Sequence, residues 1–188
     1  MAMIISESEK KDFIPNPMGV WQAVCVDMID KGMVDTAWGR KHKVQLRWQT
    51  TAEYTEKDEK TNQDIAHRYL VIKPYTYSLD EKANLRKDLE AWRGKKFQPE
   101  DFKDIDPKTG KKGFDLERLI GANCQLGIVH VESADGSRVY ANISAILPLS
   151  KDQKKMVALD YVRVKDRPVE GETQTDNDES PDGDGLPF

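Results

Sequence analysis

Cysteine is scarce in this chain. Cys25 and Cys124 are far apart and belong to no CxxC pair or Cys/His ligand spacing. A disulfide framework and a zinc site are therefore not what organises it, and a reduced, cytosolic setting is expected. His42, His67 and His130 are scattered as well, and the chain has no P-loop, GxSxG, HExxH or dinucleotide glycine pattern. The carboxylates fall mostly in loops and in the last segment, not in a dense cluster on strands. The expectation is a protein that is not an enzyme and uses no cofactor or metal. No apolar run approaches the roughly 20 residues that span a bilayer. The opening MAMIISESEKKDF lacks the apolar centre of a signal peptide. Neither membrane nor export is expected.

Large apolar residues are also in limited supply. Charged residues make up 33% and hydrophobic ones 38%, a balance at which part of the chain is expected to stay unpacked. The net charge of −4 averages two unlike parts. Seven of the 33 acids lie between Val169 and Phe188, a stretch with no Lys or Arg. Setting them aside leaves 26 acids against 29 bases, so residues 1–168 carry about +3. A mildly basic body precedes an acidic tail.

The stretch from Arg68 to Gly94 is the most informative. Tyr69, Val71, Lys73, Tyr75 and Tyr77 alternate with Leu70, Ile72, Pro74 and Thr76, the period of a strand with one aromatic and basic face and one apolar face. Ser78 followed by Glu81 has capping-box spacing and predicts a helix starting there. Leu85, Leu89 and Trp92 form its apolar stripe, and Gly94 its C-terminal stop.

Before this stretch, Pro15 to Gly19 make a turn into a first strand, VWQAVCVDMI. Residues 30–43 read as a loop or as the twisted continuation of that strand. Val44, Leu46 and Trp48 alternate with Gln45, Arg47 and Gln49 in a second strand, whose expected partner is the strand from Arg68 to Tyr77. The intervening TTAEYTEKDEKTNQD reads as a mobile loop. After the helix come a polar insertion, a short helical DLERLIG, and two strands joined at Asp135-Gly136, a strong hairpin signal. Within the insertion, DPKTGKKG is a basic, glycine-containing loop with only a weak suggestion of phosphate binding. Met156 to Val164 is a candidate edge element.

The expected fold is therefore mainly β. Five strands with a helix between the third and fourth is the order of an OB-fold barrel, although other small β or α+β folds share it. The expected division is an N-terminal extension over 1–18, the nucleic-acid-binding barrel over 19–165, and a disordered acidic tail over 166–188.

Two sets of residues suggest function. Trp38, Arg40, Lys41, Lys43, Arg47, Tyr69, Lys73, Tyr75 and Tyr77 mix rings with cations, as single-stranded nucleic acid requires for base stacking and phosphate contact. The same residues also suit packing inside a barrel and a solvated basic face. At the other end, Asp182 and Asp184 precede Leu186, Pro187 and Phe188. An acidic segment with a small apolar tip suits capture by a partner with a hydrophobic pocket and a basic rim.

The runs YTYSLDEKANLRKDLEAWRGKKF, FDLERLIGANCQLGIVH and GSRVYANISAILPL, in that order, resemble a family of bacteriophage-encoded single-stranded-DNA-binding proteins with an OB fold. The resemblance covers roughly Gly19 to Leu149. Separately, the tail is similar to that of bacterial single-stranded-DNA-binding proteins, whose acidic, Pro-Phe-terminated end recruits replication and repair proteins. Here Gly183 and Gly185 interrupt the acids. The resemblance implies a protein of the host cytoplasm that coats single-stranded DNA in phage replication, recombination or repair, and whose tail binds proteins of those processes. A recombination mediator or annealing factor on the same fold, and an OB-like protein-interaction module without DNA, are the rival readings. Self-association is left open.

Overall fold

The computed structural model describes residues 14–58, 60–107 and 109–168. Its framework is a five-stranded antiparallel sheet in the order β3-β2-β1-β6-β7. These strands are β1 (Gly19–Thr36), β2 (Gly39–Lys57), β3 (Asp64–Thr76), β6 (Asn123–Glu132) and β7 (Val139–Pro148). Between β3 and β6 lie the helix α1 (Asn84–Arg93) and a small hairpin of β4 (Asp104–Ile105) and β5 (Lys112–Gly113). Among the described residues no ladder joins the edge strands β3 and β7, so the sheet is open.

The alternation on β2 turns Val44, Leu46 and Trp48 inward, and each is at most 1% exposed. Ala23 and Cys25 of β1, Val71 and Tyr75 of β3, and Cys124, Leu126 and Ile128 of β6 join them in one core, which α1 closes with Leu85, Leu89 and Trp92. Two of the four register shifts in the sheet change which residues face the core. One, between Cys25 and Asp27, sends Asp27 to the outer face and Met28 to the inner. The other, opposite Gly127 and Ile128, allows both Ile143 and Ile146 to be buried although they are three residues apart.

The helix keeps its expected stripe and its stop at Gly94, which has a φ of 69°, but not its expected start. Ser78 Oγ accepts from the Asp80 N–H at 3.1 Å and donates to the Asp80 carboxylate at 2.8 Å. That local turn competes with a capping box. The helix begins at Asn84 with no side-chain cap. The short DLERLIG segment is a 3-10 turn over Leu116–Leu119, and Asp115 caps it by accepting from the Glu117 N–H.

Of the two loop expectations, one is corrected. Residues 30–43 continue β1 and open β2, as the second of the two readings had it, with the hairpin turn at Thr36–Gly39. The stretch expected to be a mobile loop is mostly strand: Glu53 to Lys57 pair with Arg68 to Asp64, and the turn is confined to the residues between. A charged ribbon needs no core, because each strand satisfies the other's backbone groups.

The candidate edge element at Met156 to Val164 is no strand. It is an arm tied to the outer sheet face by side chains. The Gln49 amide donates to Leu159 O at 2.6 Å and accepts from its N–H at 2.8 Å, and Asn123 does the same for Met156 at 3.0 and 2.8 Å. Two amide side chains thus stand in for a ladder. Asp27, 1% exposed, accepts from Tyr161 Oη at 2.9 Å, the Val164 N–H at 2.8 Å and Arg163 Nε at 3.2 Å.

Candidate nucleic-acid interface

The outer face of β2 and β3 begins at the β1–β2 hairpin. Gly39, with a φ of 91°, lets the chain reverse, and Thr36 Oγ1 closes the turn by donating to Gly39 O at 2.6 Å. Trp38 sits at this tip and is 85% exposed. Among the described residues nothing covers a ring that would normally be half buried or more. Arg40 is held loosely by its cross-strand neighbour Asp35 at 3.4 Å, and Lys41 is exposed beside it.

From Lys41 the alternation places Lys43, Gln45 and Arg47 on the same outer face. Lys43 Nζ donates to Thr76 Oγ1 at 3.0 Å. The Arg47 guanidinium is oriented by Gln45 Oε1 at 3.1 and 3.2 Å. Arg47 pairs with Ile72 across the ladder, and Gln49 with Leu70, so the basic row runs beside an apolar one. Ile72 and Leu70 are 39% and 37% exposed. Cations and apolar surface in adjacent rows suit phosphates and base faces respectively.

The β3 face with the aromatic side chains points the other way from the one expected. Tyr69 and Tyr75 are 8% and 3% exposed and lie in the interior. Tyr75 donates to the Asp88 carboxylate of α1 at 2.8 Å, and Lys73 forms an ion pair with the same carboxylate at 2.7 Å. Burial, followed by the negative charge of Asp88, pushes the Tyr75 phenol far above its ordinary range. These groups tie sheet to helix. Tyr69, Lys73 and Tyr75 therefore leave the candidate set, and Leu70 and Ile72, passed over as the apolar side, replace them. The alternation was visible, but the inward face is chosen by pairing: Val71 lies opposite Trp48, in the core.

Tyr77 occupies a third position. It is half exposed, its N–H donates to His42 O at 2.8 Å, and its ring centroid lies 4.5 Å from that of His42. His42 is a partner that its scattered place in the sequence did not suggest. Trp38, Arg40, Lys41, Lys43 and Arg47 are thus brought together by the hairpin and the outer face, with Tyr77 at the end of β3. A further ring cluster runs along the ribbon, with Tyr54 placed 4.9 Å from Tyr69 and 5.6 Å from His67. Asp182, Asp184, Leu186, Pro187 and Phe188 lie outside the described residues.

Among the described residues no cluster of His, Cys, Asp or Glu could hold a metal ion, and no helix is long and apolar enough to cross a membrane. Burial pushes the Cys25 thiol up to about 12 and the Cys124 thiol higher still, which leaves both unreactive. No protein-family model matches the chain, and a search of curated proteins returns no match.

Proposed function

We propose that this chain binds single-stranded nucleic acid on the outer face of an OB-type sheet. The observation that carries the reading is the uncovered Trp38 ring at the head of the Lys41, Lys43 and Arg47 row, with Leu70 and Ile72 alongside. The sheet order supports the OB part. Opening an OB barrel between its third and fifth strands gives this order, α1 packs against both β3 and β7, and these two edges approach each other.

The particular role we infer is a coat for single-stranded DNA in phage replication, recombination or repair. The resemblance of the sequence supports that choice, and the acidic Leu-Pro-Phe end supports recruitment of partner proteins through the tail.

Fluorescence anisotropy with labelled oligo-dT and a matching duplex, across a salt series, tests the reading. Tighter, salt-sensitive binding to oligo-dT is expected, with the log–log slope steepening by about 0.7 for each phosphate neutralised. Absence of binding at low salt, with and without residues 169–188, would overturn it and bring the protein-interaction reading forward.

A further inference from the structure

A cavity of about 600 Å³ opens beside Tyr77, within the range of about 300–1,000 Å³ that receives small ligands. Met28, Leu85, Phe114 and Leu116 give it an apolar floor, and the β4–β5 hairpin forms the wall facing Tyr77. Tyr77 directly follows Thr76, the partner of Lys43, so the cavity lies at the same end of β3 as the basic row but on the inner side of the sheet, and a nucleic-acid strand on the outer face reaches it by passing around that end.

The polar groups of this cavity are sorted. Lys111 and Lys112 are exposed, whereas Asp104 and Asp106 are half buried. Asp104 receives Arg118 Nη2 at 2.7 Å and the Asp115 N–H at 3.0 Å, and Thr109 donates to Asp106 at 2.6 Å. These bonds fix the carboxylates in place, and a carboxylate oxygen has the capacity to accept more than one hydrogen bond. Their field reaches the mouth. Burial and then the charges of Asp106, Asp30 and Asp115 raise the Tyr77 phenol above its ordinary value, so the ring stays neutral. A phosphate is disfavoured inside such a site. A flat neutral group with N–H donors is favoured, and an anion attached to it would meet the lysines outside.

We propose that the cavity receives one base of the bound single strand, a base carrying an exocyclic amino group, stacked on Tyr77 with its neighbouring phosphate at Lys111 and Lys112. The inference rests on the nucleic-acid reading above and adds to it a base-selective step at the end of the basic row. Cytosine, adenine and guanine have the amino group that thymine lacks, so the site predicts a composition preference in an otherwise sequence-tolerant surface.

The test uses the full chain and an oligo-dC carrying one iodo-deoxycytidine, irradiated and mapped by peptide mass spectrometry. The expected adduct is on Tyr77 or Phe114. Gly113 lines the cavity, and a Cβ added there meets no atom within 4 Å, so Gly113→Trp places an indole at the cavity without a clash at its Cβ. This variant should bind oligo-dC more weakly by about fivefold or more, the low end for one stacked base, and lose less affinity for oligo-dT. Undiminished oligo-dC binding by Gly113→Trp, with no wild-type adduct at residues 77–79 or 102–116, would overturn the cavity's role while leaving the nucleic-acid reading standing. Failure of the wild-type chain to bind any oligonucleotide would overturn that reading itself, and this inference with it.

Discussion

The β1–β2 hairpin and the C-terminal arm border the same sheet face but are held in different ways. From Met33 to Lys43 the hairpin satisfies its backbone through its own ladder, so the Trp38 side chain has no structural task and projects into solvent. From Lys154 to Val164 the arm has no ladder. Its backbone is held by the side chains of Gln22, Gln49, Arg68, Asn123 and Asp27. Substitutions on the hairpin should therefore alter binding without unfolding anything. Substitutions beneath the arm should alter stability first.

The largest effect is expected at Asp27. Replacing it with Ala leaves Tyr161 Oη and the Val164 N–H without their acceptor, while Arg163 keeps Glu117 at 2.7 and 2.9 Å, and two donors left unpaired cost roughly 2–4 kcal/mol. A denaturant melt should show that loss, and trypsin should cut sooner at Lys154, Lys155 and Arg163. A wild-type melt would remove the distinction between arm and hairpin.

Acid should act in the same direction. Burial raises the Asp27 carboxyl, but hydrogen bonds from the Val164 N–H, Tyr161, Arg163 and the Met28 N–H outweigh it and hold the group below its ordinary value. A carboxyl depressed in the folded state stabilises fully above its unfolded value of about 4 and loses that contribution as pH falls through the folded value. Glu117, lowered chiefly by its hydrogen bond from Arg163, reinforces the trend. Proteolysis of the arm should accelerate below about pH 4, and a flat profile from pH 6 to 3 would exclude the carboxylates as its anchor.

Trp38→Ala tests the hairpin. With the ring 85% exposed, the melting temperature should not move, while oligo-dT affinity should fall by about fivefold or more if one base stacks there. A lowered melting temperature with unchanged affinity would reverse the assignment. Gln49→Ala should cost about 1–2 kcal/mol, the scale of two hydrogen bonds left without a buried partner, read from the same denaturant melt. The smallest effect is expected of Lys41→Ala, which should flatten the salt slope by about 0.7 if that ammonium meets a phosphate. An unchanged slope would remove Lys41 from the interface.

Much of the framework was legible in the sequence because it depends on neighbours along the chain. Strand alternation gave the inward row of Val44, Leu46 and Trp48, the spacing of Leu85, Leu89 and Trp92 gave the helix stripe, and Asp135-Gly136 gave the last hairpin. What was misread depends on partners distant in sequence. The strand from Arg68 to Tyr77 had two distinguishable faces, yet which one turns inward is set by the register of Val71 against Trp48. Three of the candidate residues accordingly lie on the inner side of β3, and two from its outer side take their place.

The sequence by itself determined the strand and helix periods, the Asp135-Gly136 hairpin, and the basic body with its acidic end. These follow from residue type and short-range spacing. Only the tertiary structure decided that Tyr69, Lys73 and Tyr75 serve the interior, that a polar arm can lie on the sheet without a ladder, and that the insertion after α1 walls a cavity beside Tyr77. Each of these is a contact between residues far apart in the chain. Burial and pairing at such range are fixed by the whole fold, and no local pattern contains them.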